Sequence, residues 1–87
     1  MDHIKHLISG GQTETAIQLL NELIENNKTN DEAYYLRGNA YRKTGNFKEA
    51  LTNYLVAIEL NPDSPAVQAH HMLMDILNFY NKDLYNP

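Results

Sequence analysis

Two stretches of this chain are copies of one pattern. Sliding the sequence by 34 residues brings Gly11 onto Gly45, Ala16 onto Ala50, Ile24 onto Ile58, Glu25 onto Glu59 and Asn27 onto Asn61. Ile17 meets Leu51, and Leu20 meets Tyr54. A period of this length marks stacked supersecondary units, each with an apolar face that it cannot bury alone. At 87 residues the chain has room for little more than two copies. It also buries too little surface to enclose a core and a deep catalytic cleft together.

Each copy has the pattern of a helix pair. Over residues 13–27, Ala16, Ile17, Leu19, Leu20, Leu23 and Ile24 recur at helical spacing, and Glu14, Gln18, Asn21, Glu22 and Glu25 take the other face. A second amphipathic segment covers 31–44 and is broken by Gly45-Asn46, as a left-handed C-terminal residue breaks a helix. The third covers 47–60 and buries Ala50, Leu51, Tyr54, Ala57 and Ile58. Asn61-Pro62 stops it, because proline has no N–H to give to a further turn. Ser64 is the expected N-cap of a last helix running to residue 81, with Pro65 in its first turn. Residues 2–9 form a short opening helix that ends at Gly10-Gly11. Nothing reads as a strand, so the expected class is all-α with about five helices.

The run Ala33-Tyr34-Tyr35-Leu36-Arg37-Gly38-Asn39-Ala40-Tyr41, followed by Gly45, Ala50, Tyr54, Ala57 and Pro62, resembles the signature of the tetratricopeptide repeat family. The likeness covers 31–64 as one full repeat, and residues 1–30 resemble a preceding repeat with a shortened first helix. Residues 65–81 then form a C-terminal capping helix and 82–87 a tail, all in a single domain. Small residues sit where helices cross: Gly38 and Ala50 within the pair, Ala57 where the next helix docks. Tyr34, Tyr41 and Tyr54 fill the gaps. Arg37 stands where the family often has leucine, and its alkyl stem is expected to cover the core while its guanidinium reaches water.

The resemblance implies antiparallel helical hairpins in a right-handed superhelix. It also implies a concave face built mainly by the first helix of each pair, a scaffold for protein or peptide partners without chemistry of its own. Tyr35, Asn39 and Arg42 recur at intervals of four and three and share one helix face. In the family that face looks into the groove, and Asn39 matches a position whose amide bonds peptide backbone. Arg42 and Lys43 are the candidates to hold a carboxylate. The plain alternative is a solvated helix face. Some members hold the C-terminal carboxylates of chaperones with a clamp of lysines and asparagines. Of that clamp only Asn39 is present, since the other positions fall at Met1, Lys5, Ala69 and His70, so the resemblance does not extend to that ligand.

Charge and composition exclude other classes. Seven basic residues against eleven acidic ones give −4, which argues against the basic footprint of a nucleic-acid binder. The absence of cysteine removes disulfide frameworks, thiolate zinc sites and cysteine nucleophiles together, and fits a cytoplasmic protein. No signal peptide or membrane span is visible. His3 with His6, and His70 with His71, are surface histidines rather than a metal site, which wants three or four ligands. The acid pairs Asp31-Glu32 and Glu22–Glu25 face no catalytic partner, and Asp31-Glu32 suits the positive end of a helix. No enzyme activity, cofactor or metal is expected.

The last helix departs most from the pattern. Ala66, Val67, Ala69, Met72, Leu73, Met74, Ile76, Leu77, Phe79 and Tyr80 span an arc of roughly 240°, more than one neighbour covers. In the register of a third repeat it would pack through Gln68, His71 and Asp75, so it is expected to be rotated. Three accounts compete for its excess apolar face: a tail that folds back with Leu84 and Tyr85, a second chain, or further repeats of a longer array. The second chain makes Leu73, Ile76, Leu77 and Tyr80 a self-association surface in a homodimer. The expected function is thus a non-enzymatic interaction module that takes a partner peptide in its groove. The alternative is a structural subunit that self-associates through its C-terminal helix.

Overall fold

A computed structural model describes the backbone of residues 1–85 and the side chains of residues 1–79. Its elements, in chain order, are α1 (Asp2–Ser9), α2 (Thr13–Asn26), α3 (Asp31–Thr44), α4 (Phe47–Leu60) and α5 (Ala66–Tyr85). No strand occurs among the described residues. Each helix packs on the next along the chain, and α1 also lies against α3.

The repeat is visible in how the helices end. Gly11 and Gly45, 34 residues apart, adopt φ of +85° and +86°. This left-handed conformation costs glycine nothing and a residue with a Cβ about 1–2 kcal/mol. The N–H of Gly11 reaches the carbonyl of Ile8, and that of Gln12 reaches Leu7. Gly45 and Asn46 repeat the arrangement on Arg42 and Tyr41. Both turns therefore satisfy carbonyls that a helix end leaves open. The starts are capped by asparagine: Asn30 Oδ1 accepts from the N–H of Ala33 at 3.1 Å, and Asn46 Oδ1 from that of Glu49 at 3.3 Å. Ser64 Oγ accepts from the N–H of Ala66 at 3.0 Å, and regular helix begins at Ala66.

Two apolar clusters carry the packing. The first joins Ile4, Ile8, Ala16, Leu20, Ile24, Ala33, Leu36 and Ala40 from α1, α2 and α3. The second joins Ala50, Tyr54 and Ala57 of α4 to Ala66 and Leu73 of α5. Tyr34, Tyr35 and Tyr41 are half-buried and pack against this second cluster. Tyr54 is its largest member and is fully buried. Its ring lies over Gly38: a Cβ built there would stand 2.6 Å from two ring carbons and 3.2 Å from the carbonyl oxygen of Ala50.

The guanidinium of Arg37 does more than reach water. It lies 5.4 Å from the centre of the Tyr34 ring. Its Nε donates to Asn53 Oδ1 at 2.7 Å and its NH1 nitrogen to Asn21 Oδ1 at 2.9 Å. One side chain of α3 thus ties α2 to α4. Asn53 is buried, and it also donates its amide to the Glu49 carbonyl at 2.8 Å. An apolar residue at 37 would leave a buried oxygen without a donor.

The last helix corrects two expectations. It runs to Tyr85, so residues 82–85 are helix rather than tail, and the backbone does not fold back as the tail-covered account required. The side chains of Tyr80, Leu84 and Tyr85 lie outside the described residues. Leu73 is not a self-association residue: it is 1% exposed, in the core with Tyr54. Leu77 is half-buried and packed on the same cluster. The packing face is Ala66, Ala69, Leu73 and Leu77, as helical spacing requires, and the helix is rotated away from Gln68, His71 and Asp75.

The Gly38 contact can be tested directly. Gly→Ala inside an exposed helix gains about 1 kcal/mol of helix propensity. Here the sign reverses, because the buried Tyr54 ring has nowhere to move. Gly38→Ala is expected to destabilise the fold by about 1–3 kcal/mol in chemical denaturation. A variant as stable as the parent would mean that the ring does not occupy this notch.

Candidate peptide-binding groove

A cavity of about 600 Å³ lies along α3, between α1 and the start of α5. From α3 it is lined by Asp31, Glu32, Tyr35, Leu36, Asn39, Arg42 and Lys43. Lys5, Ile8 and Ser9 of α1 form one wall, and Ser64 and Pro65 the other. The α1 residues stand 34 positions before Asn39, Arg42 and Lys43, so the wall is the same face of the preceding unit. All four residues expected in the groove, Tyr35, Asn39, Arg42 and Lys43, line it together.

Their states differ. Lys43 Nζ donates to the Ser9 carbonyl at 3.1 Å, which places a cation on the last residue of α1. Asp31 accepts from the Asn61 amide at 3.1 Å, and Lys5 lies 3.9 Å from Glu32 in an exposed, weak pair. Arg42 is exposed and forms no ion pair with a carboxylate among the described residues. Acids sit at the start of α3 and the two cations at its end. A helical rise of about 1.5 Å per residue separates Asp31 from Arg42 by roughly 16 Å, the reach of about five extended residues.

Tyr54, which sequence reasoning assigned to packing alone, lies beneath these residues. Its ring centre lies 6.1 Å from that of Tyr35 at 37°. Its hydroxyl donates to Asn39 Oδ1. Burial raises its pKa above the ordinary 10.0, while the Arg42 guanidinium beside the hydroxyl pulls the other way by charge and hydrogen bonding. A buried tyrosine therefore touches three of the four expected groove residues from beneath. The only available signal was the distance along the chain: Asn39 and Tyr54 stand 15 residues apart, as two facing positions of a helix pair do.

His71 lies 3.5 Å from Asp75 in an exposed pair, and no group of three metal-ligating side chains is assembled among the described residues. No helix among them is long and apolar enough to cross a membrane.

Tyr54 makes stability depend on pH in a defined direction. The folded chain holds its phenolic proton more tightly than the unfolded chain does, so the stabilisation is complete below pH 10.0 and is lost as pH rises through the folded value. Ultraviolet titration of the six tyrosines is expected to show one ionising last, together with unfolding. Tyr54→Phe is expected to remove that step. Six tyrosines titrating together in the folded chain would contradict it.

Comparison with known proteins agrees with this geometry. The tetratricopeptide repeat pattern matches residues 31–64, and a second pattern, described as TPR repeat, matches residues 5–45. The Bacteroides fragilis protein BF1650, whose structure was determined by NMR in solution, is 60% identical. The match covers 98% of this chain and 87% of that one, with a TM-score of 0.88. No curated protein matches the chain. Repeats of this kind generally mediate protein–protein interaction. Repeat matches over residues 31–64 and 5–45 and a 60% identical neighbour of the same fold establish that the chain belongs to the tetratricopeptide repeat family.

Proposed function

We propose that this chain is a non-enzymatic cytoplasmic interaction module that holds an extended segment of a partner protein along α3. The observation that carries this reading is the shared cavity, with Tyr35, Asn39 and Arg42 on its floor and α1 and Pro65 as walls. Tyr35 offers an aromatic face, Asn39 an amide and Arg42 an unpaired cation, which suits a peptide with acceptors near the end of α3. Lys43 is shared with the Ser9 carbonyl and contributes charge more than a free donor set. The groove is short, so affinity rests on a few anchors and falls in the micromolar range. A net charge of −4 supports protein rather than nucleic acid as the partner.

The test is capture of partners from lysate by the full chain, followed by titration of the recovered segment. Asn39→Ala and Arg42→Ala are each expected to weaken binding about fivefold to tenfold with the fold retained, and Asn39→Ala also to lower the melting temperature, because it takes the acceptor from the buried Tyr54 hydroxyl. Equal binding by the parent and both variants would remove the groove from the function.

A second reading has its own observation. Met72 is 58% exposed and Ile76 43%, one turn apart on the free side of α5. In this reading the chain is a structural subunit that pairs through that strip. Among the described residues of the expected set, Ile76 is the exposed member, and Met72 takes the place of the buried Leu73. Light scattering at several concentrations is expected to show a dimer that Ile76→Lys returns to monomer. A parent monomeric at every concentration would end this reading.

A further inference from the structure

Asn39 has an amide with two ends, and the structure distinguishes them. Its oxygen accepts from the Tyr54 hydroxyl. Its nitrogen makes no hydrogen bond, yet no buried polar side-chain atom among the described residues is left without a partner. The nitrogen is therefore reached by solvent, from a residue that lines the groove. The Arg42 guanidinium lies near enough to the phenolic oxygen to pull its pKa down, and a guanidinium only donates, which leaves Asn39 Oδ1 as the acceptor of the hydroxyl proton.

We infer that Tyr54 is a positioning residue: it turns Asn39 so that its N–H group faces the groove, and with Arg42 this makes the floor near the end of α3 a surface of donors that selects a ligand presenting carbonyl or carboxylate oxygens. The ring that does this is set by Gly38, whose missing Cβ lets Tyr54 sink far enough for its hydroxyl to meet Asn39. The ligand half of this inference rests on the groove reading above. The orientation of Asn39 does not.

The experiment uses the full chain, labelled for NMR, with acetate as an acceptor probe and methylammonium as a donor probe. Nuclear Overhauser effects from the two Asn39 side-chain amide protons are expected to report one χ2 rotamer in the parent and averaging in Tyr54→Phe. That variant keeps the ring in its notch, and its backbone spectrum shows whether the fold is retained. Acetate is expected to shift the Asn39 side-chain amide and the Arg42 Nε signals, and methylammonium to leave both in place. In Tyr54→Phe the acetate affinity read at Asn39 falls about fivefold, the scale of one net hydrogen bond. Asn39→Asp gives a second reading that leaves Tyr54 intact: it replaces the donor by an oxygen and is expected to abolish the acetate shift at residue 39. An averaged Asn39 rotamer in the parent, or an unchanged rotamer and acetate response in Tyr54→Phe, overturns the inference. Neither measurement needs a protein partner, so failure to capture one counts against the groove reading alone.

Discussion

The contact between Gly38 and the Tyr54 ring is the constraint on which the molecule depends. Two helices of 14 residues can cross closely only where one of them has no side chain, and α3 has none at 38. Had an ordinary side chain stood there, the ring would be pushed outward and with it the surface on which Ala57, Ala66 and Leu73 meet. The same depth carries the hydroxyl to Asn39. A packing requirement inside the pair thus becomes a polar arrangement on its concave face. That is why a site of this kind needs no loop: its parts stand on rigid elements and are held from behind.

Polar side chains do a second kind of structural work here. Arg37 takes a place suited to leucine, yet the core is not opened, because two asparagines on neighbouring helices meet the guanidinium at 2.7 and 2.9 Å. The planar fork of arginine suits this, with separate donors directed to two acceptors. The exchange replaces a nondirectional apolar contact by bonds with fixed lengths, and so fixes the relative placement of α2, α3 and α4. With a core as thin as 87 residues permit, such directional ties between helices carry a larger share of the specification than they would in a larger domain.

Much of this was legible in the residues. The period of 34, the glycines at 11 and 45 and the proline at 62 delimit the first four helices almost to the residue, because each is a local stop with a local cause. The shared face of Tyr35, Asn39 and Arg42 was legible from their spacing, and its place in a groove, with Lys43 beside it, came from the family resemblance. What stayed hidden is what depends on the facing helix. Tyr54 reads as a core aromatic, and nothing along α4 says that its hydroxyl meets Asn39. Asn21 and Asn53 read as a solvated residue and a helix-interior polar residue, and only their common partner explains them. Leu73 was misassigned for a related reason. An arc of roughly 240° leaves open which part is taken by the neighbour, and small alanines at 66 and 69 decide it.

Those alanines also explain why α5 packs differently from α3. The packing face of α5, at 66, 69, 73 and 77, lies 34 residues after Glu32, Tyr35, Asn39 and Lys43, all of which line the groove on α3. One and the same face of the repeating helix is therefore open in the second unit and closed in the last. On α3 it carries polar and aromatic groups and looks into the cavity. On α5 it carries two alanines and two leucines and turns onto α4. Ser64 and Pro65, which lead into α5, form one wall of the cavity. The rotation moves the side of α5 that would have met a further helix into solvent, where Met72 and Ile76 stand exposed. The burial of Leu73 against Tyr54 and the exposure of Met72 and Ile76 are thus two results of one rotation of α5.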